Sequence, residues 1–488
     1  MRSINMNSVC ISRSIRIGCT LFAVAFLSIT HPATLLAGGK RPNIVLLLAD
    51  DLGWTGLQCF GSDFYETPNL DRLADAGLKF TNAYSACTVC SPTRASIMTG
   101  LYPARMHLTD FIAGQNRPFA KLAIPDWKKQ LDSSYITLPE RLKQAGYRTG
   151  HFGKWHLASS QHRNDPDAPT MPLAQGFDVS IMKPKRTKGY FIERRGESEY
   201  LTDWLTDQAC DFIESTSGEP FFLYFAYHTP HTPIQGRPDL VDYFREKVDP
   251  DRTHKNPTYA AMVKSLDLSV GKIISSLKKT SNLDDTLVIF ISDNGGLTQR
   301  YGKHDGFTEN LPLRRGKGSA YEGGVRVPMI ASWPSQIAPG LTTDFPVMTI
   351  DLLPTLVDVA EDDADTSDQT SRDVDGKSLR RLFRQKDAKL KRNLYWHYPH
   401  YHAGGDGPYS AVRSDDFRLI YFYEDDRTEL YNLAEDIGET RDLSAKLPGQ
   451  ADALLNDLKS WLQEVNAQLP VANPHFDPER QSKVSKRN

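Results

Sequence analysis

The stretch Asn43-Ile44-Val45-Leu46-Leu47-Leu48-Ala49-Asp50-Asp51 decides the fold. Apolar residues, β-branched ones among them, follow one another from Ile44 to Ala49 with no polar alternation, which suits a strand buried on both faces. The run stops at two adjacent carboxylates, costly at the end of a buried strand unless a cation compensates them. The same pattern recurs further along. Tyr147 to Phe152 runs into Gly153-Lys154-Trp155-His156, and Phe221 to Ala226 into His228-Thr229-Pro230-His231-Thr232-Pro233. Thr286 to Ser292 ends in Asp293-Asn294-Gly295-Gly296. Amphipathic segments lie between these runs: a helix opening at Thr67-Pro68 with Leu70, Leu73, Ala74 and Gly77 on one face, then Leu138 to Ala145, Leu201 to Ile213 and Pro257 to Leu277. Asp351 to Ala360 follows as a packing helix. Buried strands alternating with helices predict an α/β fold with a large, mostly parallel central sheet flanked by helices. In such sheets ligands bind beyond the carboxyl ends of the strands.

Asp50, Asp51, Asp293 and Asn294 are oxygen donors at the ends of apolar strands, a set that favours calcium or magnesium over zinc or copper. If the chain stays extended past Phe152, Lys154 and His156 point the same way. Cys87-Thr88-Val89-Cys90-Ser91-Pro92-Thr93-Arg94-Ala95-Ser96-Ile97-Met98-Thr99-Gly100 reads as a short helix with Pro92 in its first turn and Gly100 at its end. Ser91 is the expected cap, Cys90 sits at the mouth where free N–H groups favour an anion, and Arg94 follows four positions on. A CxxC redox or zinc pair is the rival reading of Cys87 and Cys90, and it lacks a second pair, since only Cys59 and Cys210 remain beyond residue 40. Arg314 to Pro328 is dense in glycine and cations, which suits either a flexible basic loop or close backbone approach to an anion.

Cys90-Ser91-Pro92-Thr93-Arg94 followed by Thr99-Gly100 resembles the signature of type I sulfatases, C-x-P-x-R-x(4)-T-G, with Thr93 where that family usually has Ser or Ala. Gly153-Lys154-Trp155-His156-Leu157, His231-Thr232-Pro233 and Gly316 to Pro328 (G-K-x-x-x-Y-E-G-G-x-R-x-P) resemble further segments of the family. The resemblance implies an alkaline phosphatase-like fold and a sulfuric ester hydrolase. It implies that a formylglycine-generating enzyme oxidises Cys90 to formylglycine (3-oxoalanine), which with Asp50, Asp51, Asp293 and Asn294 holds a calcium ion. It gives Arg94, Lys154 and Lys317 the sulfate charge, His231 with Lys317 the leaving oxygen, and His156 a part in releasing sulfate. The rivals are a phosphonate or phosphate ester hydrolase of the same superfamily, and a sulfated-glycan binder without turnover if Cys90 stays a thiol.

The chain has 488 residues, more than one core usually supports, which predicts two domains. Residues 40–373 form the expected catalytic domain. Residues 374–475 form a smaller α+β one, with strands over Tyr409 to Arg413, Phe417 to Tyr423 and Glu429 to Leu433 and a helix over Leu454 to Val465. Glu361 to Asp373 is a polar, acidic boundary loop, and 476–488 a polar tail whose end, from Arg480, is expected to fray. Trp396-His397-Tyr398-Pro399-His400-Tyr401-His402 interleaves aromatics with imidazoles, which marks His400 and His402 as candidate sugar contacts beside the alternative of a packed aromatic loop. Residues 1–37 read as a signal peptide: Arg2, Arg13 and Arg16, an apolar run from Ile17 to Ile29, then small residues near Ala37. An uncleaved anchor is the alternative, while the apolar run is short for stable membrane insertion. The expected destination is the periplasm or the exterior. A formal charge of −2 gives no reason to expect nucleic acid as a partner. The expected substrate is a sulfated polysaccharide, oligosaccharide or aryl sulfate.

Overall fold

A computed structural model describes residues 41–484 apart from 186, 195, 217, 299–305, 362–372 and 386–391. The expected leader, most of the acidic boundary loop and the last four residues lie outside the described residues. Nine strands make the large sheet: β1 (Asn43–Ala49), β2 (Leu78–Tyr84), β3 (Arg148–Gly153), β4 (Val179–Ile181), β5 (Phe221–Ala226), β6 (Thr286–Ser292), β7 (Arg326–Ser332), β8 (Leu341–Thr343) and β9 (Val347–Met348). Their order is β8-β2-β7-β6-β1-β5-β3-β4, with β9 also on β2. From β6 to β4 every pairing is parallel, and β7 alone runs against its neighbours.

Each expected buried strand of this sheet is present within a residue or two, because an apolar run covered on both faces leaves little alternative. Along β1, Ile44, Leu46 and Leu48 enter one core and Val45, Leu47 and Ala49 the other. The first core is closed by α2 (Cys90–Thr99), α3 (Leu138–Gln144) and α6 (Leu352–Glu361). The second is closed by α1 (Pro68–Asp75), α4 (Leu201–Ser215) and α5 (Pro257–Lys279). Local caps agree with these boundaries. Asn256 accepts hydrogen bonds from the N–H groups of Thr258 and Tyr259 at the start of α5, and Glu140 accepts from the Thr137 N–H at α3.

The register places the ends of four parallel strands level. Ala49 lies opposite Ser292, Leu48 opposite Ala226, and Gly153 opposite Ala226. Asp50-Asp51, Asp293-Asn294, Lys154 and the His228–Pro233 loop therefore leave the sheet at one edge.

A second, antiparallel sheet has strands β10 (Leu394–Tyr398), β11 (Tyr409–Ser414), β12 (Phe417–Phe422) and β13 (Arg427–Asn432), with α7 (Pro448–Glu464) packed in the same core. The sequence predicts three of these strands. The fourth, β10, occupies the first half of the aromatic stretch, where Trp396 and Tyr398 face inward. The tail also departs from expectation. Asp477 N–H donates to the Phe119 carbonyl, the Arg480 guanidinium lies 3.4 Å from the centre of the Phe119 ring, and Val484 reaches the main cavity. Among the described residues no helix is long and apolar enough to cross a membrane.

Candidate active site

The site is built on α2. Val89 is still extended, Cys90 is the first helical residue, and all ten residues of the helix are buried. The N-terminal turn thus presents its free N–H groups beside Cys90. Ser91 does not cap: its Oγ accepts the Ile112 N–H at 3.1 Å. Thr93, the departure from the usual family residue, donates from Oγ1 to the carbonyls of Cys87 and Val89 and fastens the helix start. Gly100 ends the helix in the left-handed region, as expected.

Arg94 is fully buried. Its Nε and Nη2 donate to Asp293 Oδ2 at 2.9 and 2.7 Å, its Nη1 donates to the Lys154 carbonyl, and Asp50 lies 3.5 Å away. Lys154 Nζ donates to both Asp50 oxygens at 2.9 and 2.7 Å. Lys317 Nζ donates to both Asp51 oxygens at 2.6 and 2.8 Å and stands 3.7 Å from Cys90 Sγ. His231 Nε2 is 3.6 Å from Asp51 Oδ2. Ligand atoms of Asp50, Asp51, Cys90 and His231 all lie within 4.8 Å of one another. Asp293 instead accepts from Arg94 and, through Oδ1, from the Asp51 N–H. Asn294 Nδ2 donates to Asp51, while its Oδ1 is buried with no hydrogen-bond partner. An orphaned amide oxygen beside clustered carboxylates is the donor set a hard divalent cation takes.

The charges act on one another. Burial would push the Cys90 thiol up, but Lys154 and Lys317, with side-chain contacts to His156 and His231, bring it well below its ordinary value. Burial likewise opposes ionisation of Asp50, and Lys154, His231, Arg94 and Lys317 reverse this. Asp293 is pushed up to about 8 by burial and by Asp50. Burial lowers His231, but Asp51 and Asp50 more than offset it and raise the imidazole above its usual value. His156 is lowered by burial and by Lys154.

Lys154 and His156 do not share a face by strand alternation. The strand ends at Gly153 (φ 104°), and His156 itself is left-handed (φ 61°), so the chain turns sharply before both reach the cavity. Gly153 is required there, since a Cβ would fall 2.0 Å from the Ala226 carbonyl oxygen. Asp51 is also left-handed (φ 65°), and the Tyr259 hydroxyl donating to its carbonyl helps hold it.

The Gly316–Pro328 segment is buried rather than a flexible surface loop. Lys317 N–H donates to the Gly296 carbonyl and Gly318 N–H to that of Thr88. Gly318 (φ 83°) packs so closely on His402 that a Cβ would lie 2.0 Å from its Nδ1. Further along, Glu322 is 3.4 Å from Arg418, which also pairs with Glu439, joining this segment to the small sheet.

The two candidate sugar contacts part company. His402 lines the cavity, with burial lowering it to about 3. His400 is wholly buried behind it, hydrogen-bonded through Nε2 to Thr109 and packed on Trp127, so it does not face the cavity. Apolar packing claims the residue that alternation of aromatics and imidazoles made look like a sugar donor.

The cavity has a volume of about 800 Å³, far more than one sulfate group needs. Several of its walls carry no motif. Phe111 to Gln115 form one side, and Ile112 accepts from His156 Nε2 at 2.5 Å. Tyr190 forms another, its hydroxyl donating to the carbonyls of His228, His231 and Thr232. Arg163, Lys183 and Val484 stand at the same cavity. No local sequence pattern marks these residues as part of a site.

Residues 42–362 match the sulfatase family model, and residues 316–468 match that of the N-sulphoglucosamine sulphohydrolase C-terminal region. A sulfatase of Formosa agariphila is 33% identical, covering 88% of this chain and 90% of that protein. Arylsulfatase A of Homo sapiens is 31% identical, covering 90% of each. The solved structure of Ps i-CgsB in complex with k-i-k-neocarrahexaose superposes with a TM-score of 0.71 at 27% identity, covering 90% of this chain and 95% of that one. The chain belongs to the sulfatase family, as an arylsulfatase-like member of the alkaline phosphatase superfamily, and is a sulfuric ester hydrolase.

Proposed function

We propose that the protein is a secreted sulfatase that removes O-sulfate groups from sulfated polysaccharides or oligosaccharides. In this reading residue 90 works as formylglycine, installed by a formylglycine-generating enzyme, and Asp50, Asp51, Asp293 and Asn294 hold a calcium ion. In that state the hydrated aldehyde would supply the nucleophilic oxygen and the cation would supply charge, with Cys90 Sγ standing in the place of that oxygen. The observation that carries the reading is the convergence on this atom, with Lys317 Nζ at 3.7 Å and donor atoms of Asp50, Asp51 and His231 clustered around it.

The remaining chemistry belongs to the chain's own side chains. Lys154 and Lys317, each held on one carboxylate, direct their ammonium groups into the cavity, where they offset the sulfate charge. Arg94 orients Asp293 and, through the Lys154 carbonyl, the lysine beside it. The two histidines divide acid from base by their hydrogen bonds. His231 Nδ1–H donates to the Thr232 carbonyl at 2.6 Å, and Asp51 and Asp50 raise its pKa, which favours a second proton on Nε2 for the leaving sugar oxygen. His156 Nε2–H donates to the Ile112 carbonyl, which leaves the buried Nδ1 toward residue 90 to accept a proton there. The leader, residues 1–37, delivers the protein to the periplasm or the exterior.

The test is the mass of the tryptic peptide containing Cys90, from protein made in a host with a formylglycine-generating enzyme. Loss of sulfur and two hydrogens with gain of one oxygen is the expected result. Paired assays with aryl sulfate and aryl phosphate should favour sulfate, and Cys90→Ala should abolish turnover. Near wild-type sulfate release by Cys90→Ala would overturn the scheme.

A further inference from the structure

The cations around the cavity fall into two groups. Lys154 and Lys317 line it and are each paired within the protein, with Asp50 and Asp51, as the buried Arg94 is with Asp293. Two buried cations elsewhere are paired likewise, Arg392 with Asp351 and Arg418 with Glu439. Lys183 and Arg163 line the cavity too, yet neither has a carboxylate partner among the described residues. Lys183 is half-buried, its Nζ 5.4 Å from the centre of the Tyr190 ring, the tyrosine that braces the His228–Thr232 loop. Burial lowers its pKa with no neighbouring acid to compensate. Arg163 lies on the adjoining segment, which touches the segment of Lys183 where Lys185 Nζ donates to the Asn164 carbonyl. Met171 and Met182, the latter next to Lys183 in the chain, add apolar surface to the same cavity.

A half-buried ammonium beside apolar side chains is disfavoured unless an anion joins it, and here the protein brings none. We propose that Lys183, assisted by Arg163, binds a second anionic group of the substrate, a further sulfate or a carboxylate on the same or the adjoining sugar. The protein thereby selects polyanionic saccharides over singly sulfated ones. This rests on the sulfatase reading and narrows its substrate class. The cavity volume leaves room for a sugar bearing both groups, and Arg163, more exposed, serves as the outer contact.

The test uses binding, so that it does not depend on turnover. Full-length Cys90→Ala protein is titrated with galactose, N-acetylgalactosamine and glucosamine, each carrying one sulfate and each carrying two. For the sugar that binds tightest, the doubly sulfated form is expected to bind roughly tenfold more strongly. Lys183→Met, which keeps the aliphatic stem, should erase that ratio, and Lys183→Arg should keep it. A ratio is insensitive to any fraction of misfolded variant. An equal affinity for both forms across all three sugars, or an advantage that survives in Lys183→Met, would overturn the proposal. Sulfate release by the wild-type protein is measured separately: its absence would refute the sulfatase reading while leaving the binding ratio to decide the role of Lys183.

Discussion

Replacing Lys317 with methionine isolates one charge at the reacting centre. Methionine approximates the length of the lysine stem and fits between Gly316 and Gly318, where backbone contacts to Gly296 and Thr88 hold the segment in place. What disappears is an ammonium 3.7 Å from the Cys90 Sγ position. At an effective dielectric constant of about 20, a unit charge at that distance interacts with a unit of developing negative charge by about 4 kcal/mol. That corresponds to roughly a thousandfold in rate if the charge develops only in the transition state. The loss should therefore fall mainly on kcat, with a smaller rise in KM for an aryl sulfate because the same ammonium also offsets the charge of the bound sulfate. Steady-state kinetics on 4-methylumbelliferyl sulfate provide both constants, and a thermal melt checks that the fold persists. Lys317 also pairs with Asp51, so some loss of stability is expected alongside. A kcat within tenfold of wild type in a folded Lys317→Met protein would refute the claim that this ammonium stabilises the reacting oxygen.

Gly318→Ala should damage the same segment by geometry alone, because its φ of 83° and the His402 ring 2.0 Å from the new Cβ both oppose a side chain. A loss of at least about 2 kcal/mol in stability is expected by chemical denaturation, with a lower kcat; a neutral substitution would contradict the packing. Glu439 is pushed up to about 7 by burial and by Glu322, against the pull of Arg418, so the folded state holds its proton more tightly than the unfolded chain does. Its stabilising contribution is complete below about pH 4.5 and is lost as pH rises through about 7, a swing on the order of 3 kcal/mol. Glu439→Gln should flatten the pH dependence of the unfolding midpoint over that window, and an unchanged profile would show that Glu439 does not titrate there. Chelation should lower the melting temperature and added calcium restore it, since an ion that binds only the folded state stabilises it by mass action; identical melts, with no metal found by elemental analysis, would remove the cation from the site.

The parts of the fold legible in the sequence are those where one physical rule has no competitor. β1, β5 and β6 are apolar throughout, and burial on both faces follows directly. The carboxylates and histidines that end them are legible as a site because nothing else explains polar residues at that edge. Elsewhere two rules compete. Lys154 and His156 fit an extended strand by spacing, but Gly153 and the left-handed His156 bend the chain, and that conformation leaves no mark on spacing. Ser91 has the chemistry of a cap, yet the helix begins one residue earlier and the hydroxyl serves Ile112 instead. In the Trp396–His402 stretch both readings are present: β10 and His400 pack inward, and His402 alone meets the cavity. Lys183, Arg163 and the Phe111–Gln115 wall were illegible because loops from distant parts of the chain bring them together and no local pattern records it.

The burial of α2 sets an order of events. An enzyme that oxidises Cys90 needs that side chain within reach, yet in the finished protein every residue of the helix is covered. The carboxylates around it come from strand ends 243 residues apart, so the cover closes only when the late strand β6 joins β1. Under the function proposed above, maturation of residue 90 would thus race against folding: it would act on the newly made chain, and a copy that folded first would keep its thiol. Treating the folded protein with the modifying enzyme should leave the thiol unchanged, and unfolding it first should restore access.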